Sequence, residues 1–566
     1  MSQLKRKSGV ADGSTAIAHE LDTVNSLVTG GAKLWSIKNA GVEKFSLNKD
    51  GSDFNISSFK TWTVRPDEGR AGIMTALNAA KTAGGGIVQL LAGTYVIDNP
   101  GISIYDLNYV TLQGVGDDTI LQHNNDISGF TTLLFQATTV SYAGNATTNG
   151  QTSVYTTAPA DAGNFLTGDR IVIRGDVRSD DGSGFLDLET NIVAANGNVG
   201  TGEIQLLNPL QYTMTSITFK RSRTAQYSWV KNLKFTFTGS NGLAAASING
   251  YYKSGFENIT VEGGKQTGGY GVFGLGASIG AGYPGFYCEI NNCRIRGAES
   301  SGIALFHQKF SSVKNCILDN IGNPGGSFYT AAIVIERECG DCLIKNNTIT
   351  NVIHGWGIGV GGTVRRRISA IGNRIMYADN AGLGLDNFEE ISGNYIEDVG
   401  LGGVTSSFTG AIMAGYGALP CKGIIKNNII KKCRYGIDVY PGSHISIFNN
   451  IVREFTEYGI LMGAHSTCVG NIIIGSGIGI GITHYATGAN LDGHQSSGNI
   501  VKNCTTGFYL SFSTYGDLGS NLGSTLTYGI NFFNCNNNII VGNHLQGSAY
   551  NYGGTNTDND LIGNKL

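Results

Sequence analysis

Proline is scarce, with 8 residues in 566. No Gly-X-Y period accompanies it, so a collagen-like triple helix is excluded. Charge is scarce too: 14% of residues are charged and the net charge is −3. The chain therefore lacks the basic field that draws nucleic acid or an anionic membrane. It also lacks the roughly 18 uninterrupted apolar residues of a membrane helix. Its opening, "MSQLKRKSGVADGSTAIAHELD", is basic but has no apolar run, so no secretory signal is read there. Cysteine is missing before Cys288, and all 10 fall at or after it. A disulfide framework belongs to short secreted chains, so that clustering needs another explanation.

What the chain has in excess is glycine, 84 residues, about twice the usual share. So many glycines imply many turns, or backbone that lies close to something. From about residue 229 the sequence repeats itself. One element is a strand with Asn near its middle or end: "WVKNLKF" at 229, "CEINNCRI" at 288, "CLIKNNTI" at 342, "GIIKNNII" at 423 and "ISIFNNIV" at 445. The other is Gly or Ala followed by alternating apolar residues: "GIALF" at 302, "AIVIE" at 332, "GIGV" at 357, "GLGLD" at 382, "GIDVY" at 436 and "GIGIT" at 479. Successive second elements start roughly 20–30 residues apart. That is too short for a helix-bearing βαβ unit of about 30 or more residues. Two or three short strands per period fit one coil of a parallel β-helix. Asn at the turns tolerates left-handed backbone and can bond to the next coil. Cys293 and Cys316 hold the same place in neighbouring coils, where a free Cys serves as a small inward apolar residue. "CGDC", Cys339 to Cys342, has no second pair or His cluster beside it, so no metal site is predicted there.

Before the repeat stand "AGIMTALNAAKTAGGGIVQLLAGTYVI" at 71–97 and "LNYVTLQGVGDDTIL" at 107–121. A short helix, then "GGGxVxLxxGTY", then "VTLxGxGxxTxL" resembles the start of the pectate-lyase-like superfamily of single-stranded right-handed β-helices. The resemblance implies an all-β solenoid over residues 61–566. A helix at about 70–97 would cap it, a small β insertion would occupy about 150–220, and regular coils would run over about 229–550. Residues 30–51 form two alternating strands around "NAG", a hairpin signal. This segment resembles the N-terminal repeats of phage tail fibres and tailspikes. Residues 1–60 are thus expected to attach to other tail proteins of a virion. The tailspike resemblance also implies a homotrimer acting outside the cell, at the host surface, with bacterial surface polysaccharide as its partner. No cofactor, nucleic acid or membrane insertion is expected.

Aligning the second elements yields columns. Inward positions read Ile303, Ile333, Ile358, Leu383, Ile412, Ile437, Ile460 and Ile480, and two residues on Leu305, Ile335, Val360, Leu385, Ala414, Val439, Met462 and Ile482. Between them an outward column reads Ala304, Val334, Gly359, Gly384, Met413, Asp438, Leu461 and Gly481. A second outward column contains Phe306, Glu336, Gly361, Asp386, Gly415 and Tyr440. A row of outward glycines predicts a low floor on which a chain-like ligand lies. Glu336 and Asp386 stand two coils apart, about 9.6 Å between backbones. That spacing suits the roughly 6.5–9.5 Å of an inverting glycosidase pair, one carboxyl as acid and the other as base. Asp438, Glu338, Asp379 and Glu389 are reserves for either role. Trp356, Tyr416 and Tyr440 are expected to stack on sugar rings, and His307 and Arg337 to contact substrate. A lone His is more often structural, and His354 and His444 are weighed the same way.

Three functions compete. The first is a glycoside hydrolase that cuts capsule or O-antigen. The second is a lyase by β-elimination, with a base and a uronate-neutralising group drawn from Arg337, His307, Tyr440 and Arg365 to Arg367. The resemblance implies several Asp holding Ca²⁺ in pectate lyases, and no such cluster is legible here. The third is an adhesin that binds glycan without cutting it.

Overall fold

The computed structural model is a parallel β-helix. Within residues 1–59 it describes strand backbone only; from Lys60 it describes all residues except 99, 124–129, 176–187, 211–212, 215, 224, 238–241, 264–272, 278–282, 323–329, 337–338, 362–366, 386–387, 402–408, 416–421, 441–443, 483–490, 549–550, 554–558 and 565–566. Each coil lays three strands on three faces, and every strand pairs in parallel with its equivalent one coil on. One coil shows the pattern: Leu343–Lys345 on the first face, Thr348–Val352 on the second and Gly355–Gly361 on the third. The next coil stacks on it as Ile368–Ile371, Arg374–Ala378 and Ala381–Leu385.

Local chemistry makes each corner. The corner between the first and second faces takes two residues. The first of these has positive φ: +56° at Asn346, +66° at Gly372, +56° at Asn427 and +53° at Asn449. Asn and Gly reach that backbone most readily, which accounts for the "NN" and "GN" pairs. The second residue turns inward. Cys293 and Cys316 fill it in early coils, both buried. Ten asparagines then form a ladder from Asn347 to Asn564. Asn450 is typical. Its amide donates to Asn471 Oδ1 at 3.0 Å and to the Ile425 carbonyl at 3.0 Å. Its oxygen accepts from the Asn428 backbone N–H at 3.0 Å and the Asn428 amide at 2.9 Å. A buried amide is tolerated because its hydrogen bonds are made.

The corner into the third face begins with Gly in most coils. A Cβ on Gly357 would stand 2.5 Å from Ile375 Cγ2. On Gly459 it would meet the Gly479 carbonyl at 2.7 Å and press on Ile473. This is why Gly begins the apolar run in most coils.

One apolar core runs from Val64 to Leu545, built from the two predicted inward columns and their equivalents on the other faces. Nine cysteines are described, all free and buried. The helix Gly69–Thr82 packs Ile73, Ala76, Leu77 and Ala80 into the first coils. Between Val140 and Ser222 the chain leaves the solenoid as a six-stranded antiparallel sheet. That sheet has its own core around Phe165, Ile171, Ile173 and Phe219. It rests on the β-helix through Lys309, whose Nζ donates to the Thr190 carbonyl at 2.8 Å. Near the N-terminus, Trp35–Ile37 pairs with His19–Thr23 and Lys44–Ser46 pairs with Asn55–Ser57. The expected hairpin around "NAG" is not among the described pairings. Alternation identifies a strand but does not choose its partner.

Candidate functional site

The third face differs from the other two at its edges. Where the first face turns into the second, the links hold two residues, as from Lys345 to Thr348 and from Lys426 to Ile429. Where the third face turns back to the first, they hold six residues after Glu336, six after Gly361 and seven after Ala414. Entering the third face, they hold eight before Thr330 and ten before Gly410. Insertions therefore interrupt the chain at both edges of this face, and loops that carry function gather where a scaffold tolerates them.

On this face the predicted register holds residue by residue. Ala304, Val334, Gly359, Gly384, Met413, Asp438, Leu461 and Gly481 stand in one row across eight coils. Glu336 stands in the adjoining outward row, between Phe306 and Gly361. Its backbone is described and its side chain is not. Leu385, the residue before Asp386, is in register with Ala414, and Ala414 with Val439. Asp386, Arg337, Glu338 and Tyr416 lie outside the described residues.

The glycine floor is not bare. The indole of Trp356 lies over it: a Cβ on Gly359 would be 2.7 Å from Trp356 Cε3, and on Gly384 3.0 Å. Trp356 is 7% exposed and packs with Ala304, Phe306, Ala331, Val334, Ala381 and Met413. Its expected role, a ring offered to a sugar, does not fit that burial; the glycines make room for the indole. Tyr458 repeats the device over Gly481. The aligned columns carry a signal for this: each such aromatic sits three positions before an outward glycine of the same coil or the next. His307 was expected to touch substrate. It is 0% exposed, with φ +51° at a coil corner. That burial places it inside the corner packing and not on the surface.

The reserves divide. Asp379 accepts the His354 backbone N–H at 2.8 Å, so it braces a turn. Glu389 is exposed in a β-bulge on the first face, where Ile368 pairs with Phe388 and Ser369 with Glu390. Its strand, Phe388–Ser392, belongs to the first face, so Glu389 stands away from the third. Asp438 is on the face. It is 6% exposed between Met413 and Leu461. Among the described residues, no hydrogen bond or ion pair reaches its carboxyl. Burial pushes its pKa up to about 7, because the charged form has lost its water. Burial pushes the Tyr458 phenol up to about 12, and the nearby Asp438 carboxylate adds to the cost of ionising it. Tyr435 stacks on Tyr458 with ring centroids 5.9 Å apart and donates to Glu457, which also accepts from Arg434 at 2.6 Å. Tyr440, two residues beyond Asp438, is half-buried at the rim. Among the described residues, no group of three or more His, Cys, Asp or Glu is placed to hold a metal ion. No described helix is long and apolar enough to cross a membrane.

Comparisons with known proteins agree with the architecture. The family model described as "Right handed beta helix region" matches residues 356–516, and the chain is a right-handed parallel β-helix. No curated relative matches the chain. Among solved structures it is similar to the tailspike gp61 of Pseudomonas phage phi297, at 12% identity over 84% of this chain and 73% of that one, TM-score 0.49. It is similar to the tailspike gp49 of Pseudomonas phage LKA1, at 13% identity over 87% and 74%, TM-score 0.44. A third is the gp54 tailspike of Acinetobacter baumannii bacteriophage AP22, solved with A. baumannii capsular saccharide, at 12% identity over 85% and 73%, TM-score 0.42. Likeness at this level adds nothing about substrate or chemistry.

Proposed function

We propose that the chain is a phage tailspike that binds a bacterial surface polysaccharide, capsule or O-antigen, and cleaves it internally by glycosidic hydrolysis. One observation carries the reading. Acidic residues stand in the outward rows of the one face whose edges carry insertions, with Glu336 in one row and Asp438 in the other. A polymer needs an elongated surface, and stacked parallel coils supply one. Glycosidic hydrolysis needs two carboxyls a few ångströms apart. Glu336 and Asp386 are the pair read from the sequence, and Asp438 is the third carboxyl of the same face. Tyr440 at the rim is a candidate to stack on a sugar, and Arg337 and Tyr416 are candidate contacts. Residues 1–60 would attach the protein to the virion, and a homotrimer would carry it.

The test uses polysaccharide purified from a host that the protein binds. Wild type should shorten the polymer, with reducing ends rising in step and no conjugated double bond forming. A conjugated double bond would mean elimination, and binding without shortening would leave an adhesin.

A further inference from the structure

We infer that copies of this chain pack side by side, parallel and in register, through an aliphatic row on the second face. They would be the copies of the homotrimer in the proposed function, on which the inference rests for their number alone.

The row is built from the first outward residue of each second-face strand. Tyr395, Ile429, Ile451, Ile472, Ile500 and Leu522 stand in register over six successive coils. That is about 24 Å of ridge at the spacing of paired strands. Ile429 is 44% exposed and Leu522 50%. Ile451, Ile472 and Ile500 each have a neighbour in register above and below, and each is still partly exposed. Strand formation does not ask for such a row. In the four preceding coils the same position reads Arg294, Ile317, Thr348 and Arg374, and those strands pair equally well. From Ile429 on, the strands are apolar on both sides. Ile430, Val452, Ile473 and Val501 fill the core, while Ile429, Ile451, Ile472 and Ile500 point outward. Parallel strands that are apolar on both sides are strands covered on both sides. Single surface isoleucines are ordinary, whereas a contiguous apolar strip marks an interaction surface.

Chemistry and geometry choose the occupant. A polysaccharide would set its hydroxyls against aliphatic side chains that offer no hydrogen bond. Tyr395, the one ring in the row, donates its hydroxyl to Glu397 at 2.6 Å and has the Arg374 guanidinium over it at 5.1 Å. A ridge that repeats about every 4.8 Å is matched along its length by a ridge of the same period. A second copy of this solenoid carries one. Charge sets the direction. On one side of the row stand Glu397, Lys431, Arg453, Ile474 and Lys502, three cations to one carboxylate. On the other side is the corner to the first face, with Asn449, Gly470, Gly498 and Ser520. An axis parallel to the solenoid lays the cationic side of one copy against the small, neutral corner of the next. Antiparallel copies would set cations against cations, which costs affinity. A parallel axis also closes on a few copies. It passes by the corner between the first and second faces, so the third face of every copy stays open to polymer.

The test uses the full-length protein. Sedimentation velocity should find wild type assembled at micromolar concentration. A variant combining Ile451→Thr, Ile472→Thr and Ile500→Thr keeps β-branched side chains at partly exposed positions, so it should fold, and thermal melting checks that it does. Its concentration for half assembly should rise by about 10²-fold or more. Single Ile451→Cys, Ile472→Cys and Leu522→Cys variants, treated with a short bismaleimide, should each give linked pairs, because on a parallel axis every rung meets its own copy. Ser446→Cys, on the first face of the coil that holds Ile451, should give none, and wild type is the blank for the buried native cysteines. A wild type that stays monomeric overturns the inference, as does an assembly untouched by the three threonines. Links at one rung and not at the others would mean crossed or antiparallel copies and would overturn it too. Reducing ends measured on the same samples separate the two readings. Linked rungs without cleavage leave the interface standing and remove the hydrolase, and cleavage with unlinked rungs does the reverse.

Discussion

Replacing Asn450 by Ala should cost about 4 kcal/mol, because the ladder is a chain of buried obligations. Asn450 makes four hydrogen bonds through its side chain, and it is fully buried. Alanine removes all four. The Asn428 amide keeps the Ile391 and Lys426 carbonyls, each at 3.0 Å, so it suffers little. The Asn428 backbone N–H loses its acceptor inside the core. One orphaned buried donor costs about 1–3 kcal/mol, and each other lost bond about 0.5–1.5 kcal/mol. Cavity formation adds to this. Asn450→Cys should cost less, because Cys316 already fills this column and accepts the same packing. Guanidinium unfolding followed by tryptophan fluorescence measures the difference. Hydrogen exchange should localise the loss to the coils around Asn428 and Asn471, since neighbours in a solenoid share only local contacts. A loss below about 1 kcal/mol, or one spread evenly over the molecule, would refute the view that this ladder binds coil to coil.

Other consequences are as direct. Gly459→Val should destabilise strongly, because a side chain there strikes Ile473 and the Gly479 carbonyl, whereas Gly519→Ala meets only the Val541 carbonyl at 3.6 Å and should be near neutral by thermal melting. Trp356→Ala should cost about 3–5 kcal/mol in urea unfolding, the usual range for emptying a buried tryptophan site. Asp438 binds its proton more tightly folded than unfolded, so stability should fall as pH rises from about 4 to about 7, by roughly 1.4 kcal/mol per unit. Asp438→Asn should flatten that slope in chemical denaturation at stepped pH. The described cysteines should resist a thiol reagent until the chain unfolds, since burial pushes thiols such as Cys433 up to about 12.

Much of the fold was legible because the solenoid writes its period into the chain. The "KNN" pairs mark a left-handed turn followed by an inward amide, and the Gly that begins most apolar runs marks a corner with little room for a Cβ. Alternation then fixed which residues point out, and Gly359, Met413 and Asp438 all stand where it put them. What alternation cannot state is whether an outward position meets water. Trp356 and Asp438 both point out of the solenoid and both are buried, because what covers an outward row comes from residues distant in sequence. Glu389 was misread because its strand, Phe388–Ser392, follows Asp386 by two residues yet lies on the first face. The "NAG" strands were readable as strands, but their partners were set by segments on either side.

The most direct test of the account is the fate of a solvent oxygen. Host polysaccharide should be digested by the wild-type protein in heavy-oxygen water, and the fragments weighed. Hydrolysis on the third face predicts one solvent-derived oxygen at every new end, and none of these products from Asp386→Asn. Shortened fragments without solvent oxygen would contradict hydrolysis, and an unshortened polymer would contradict catalysis altogether.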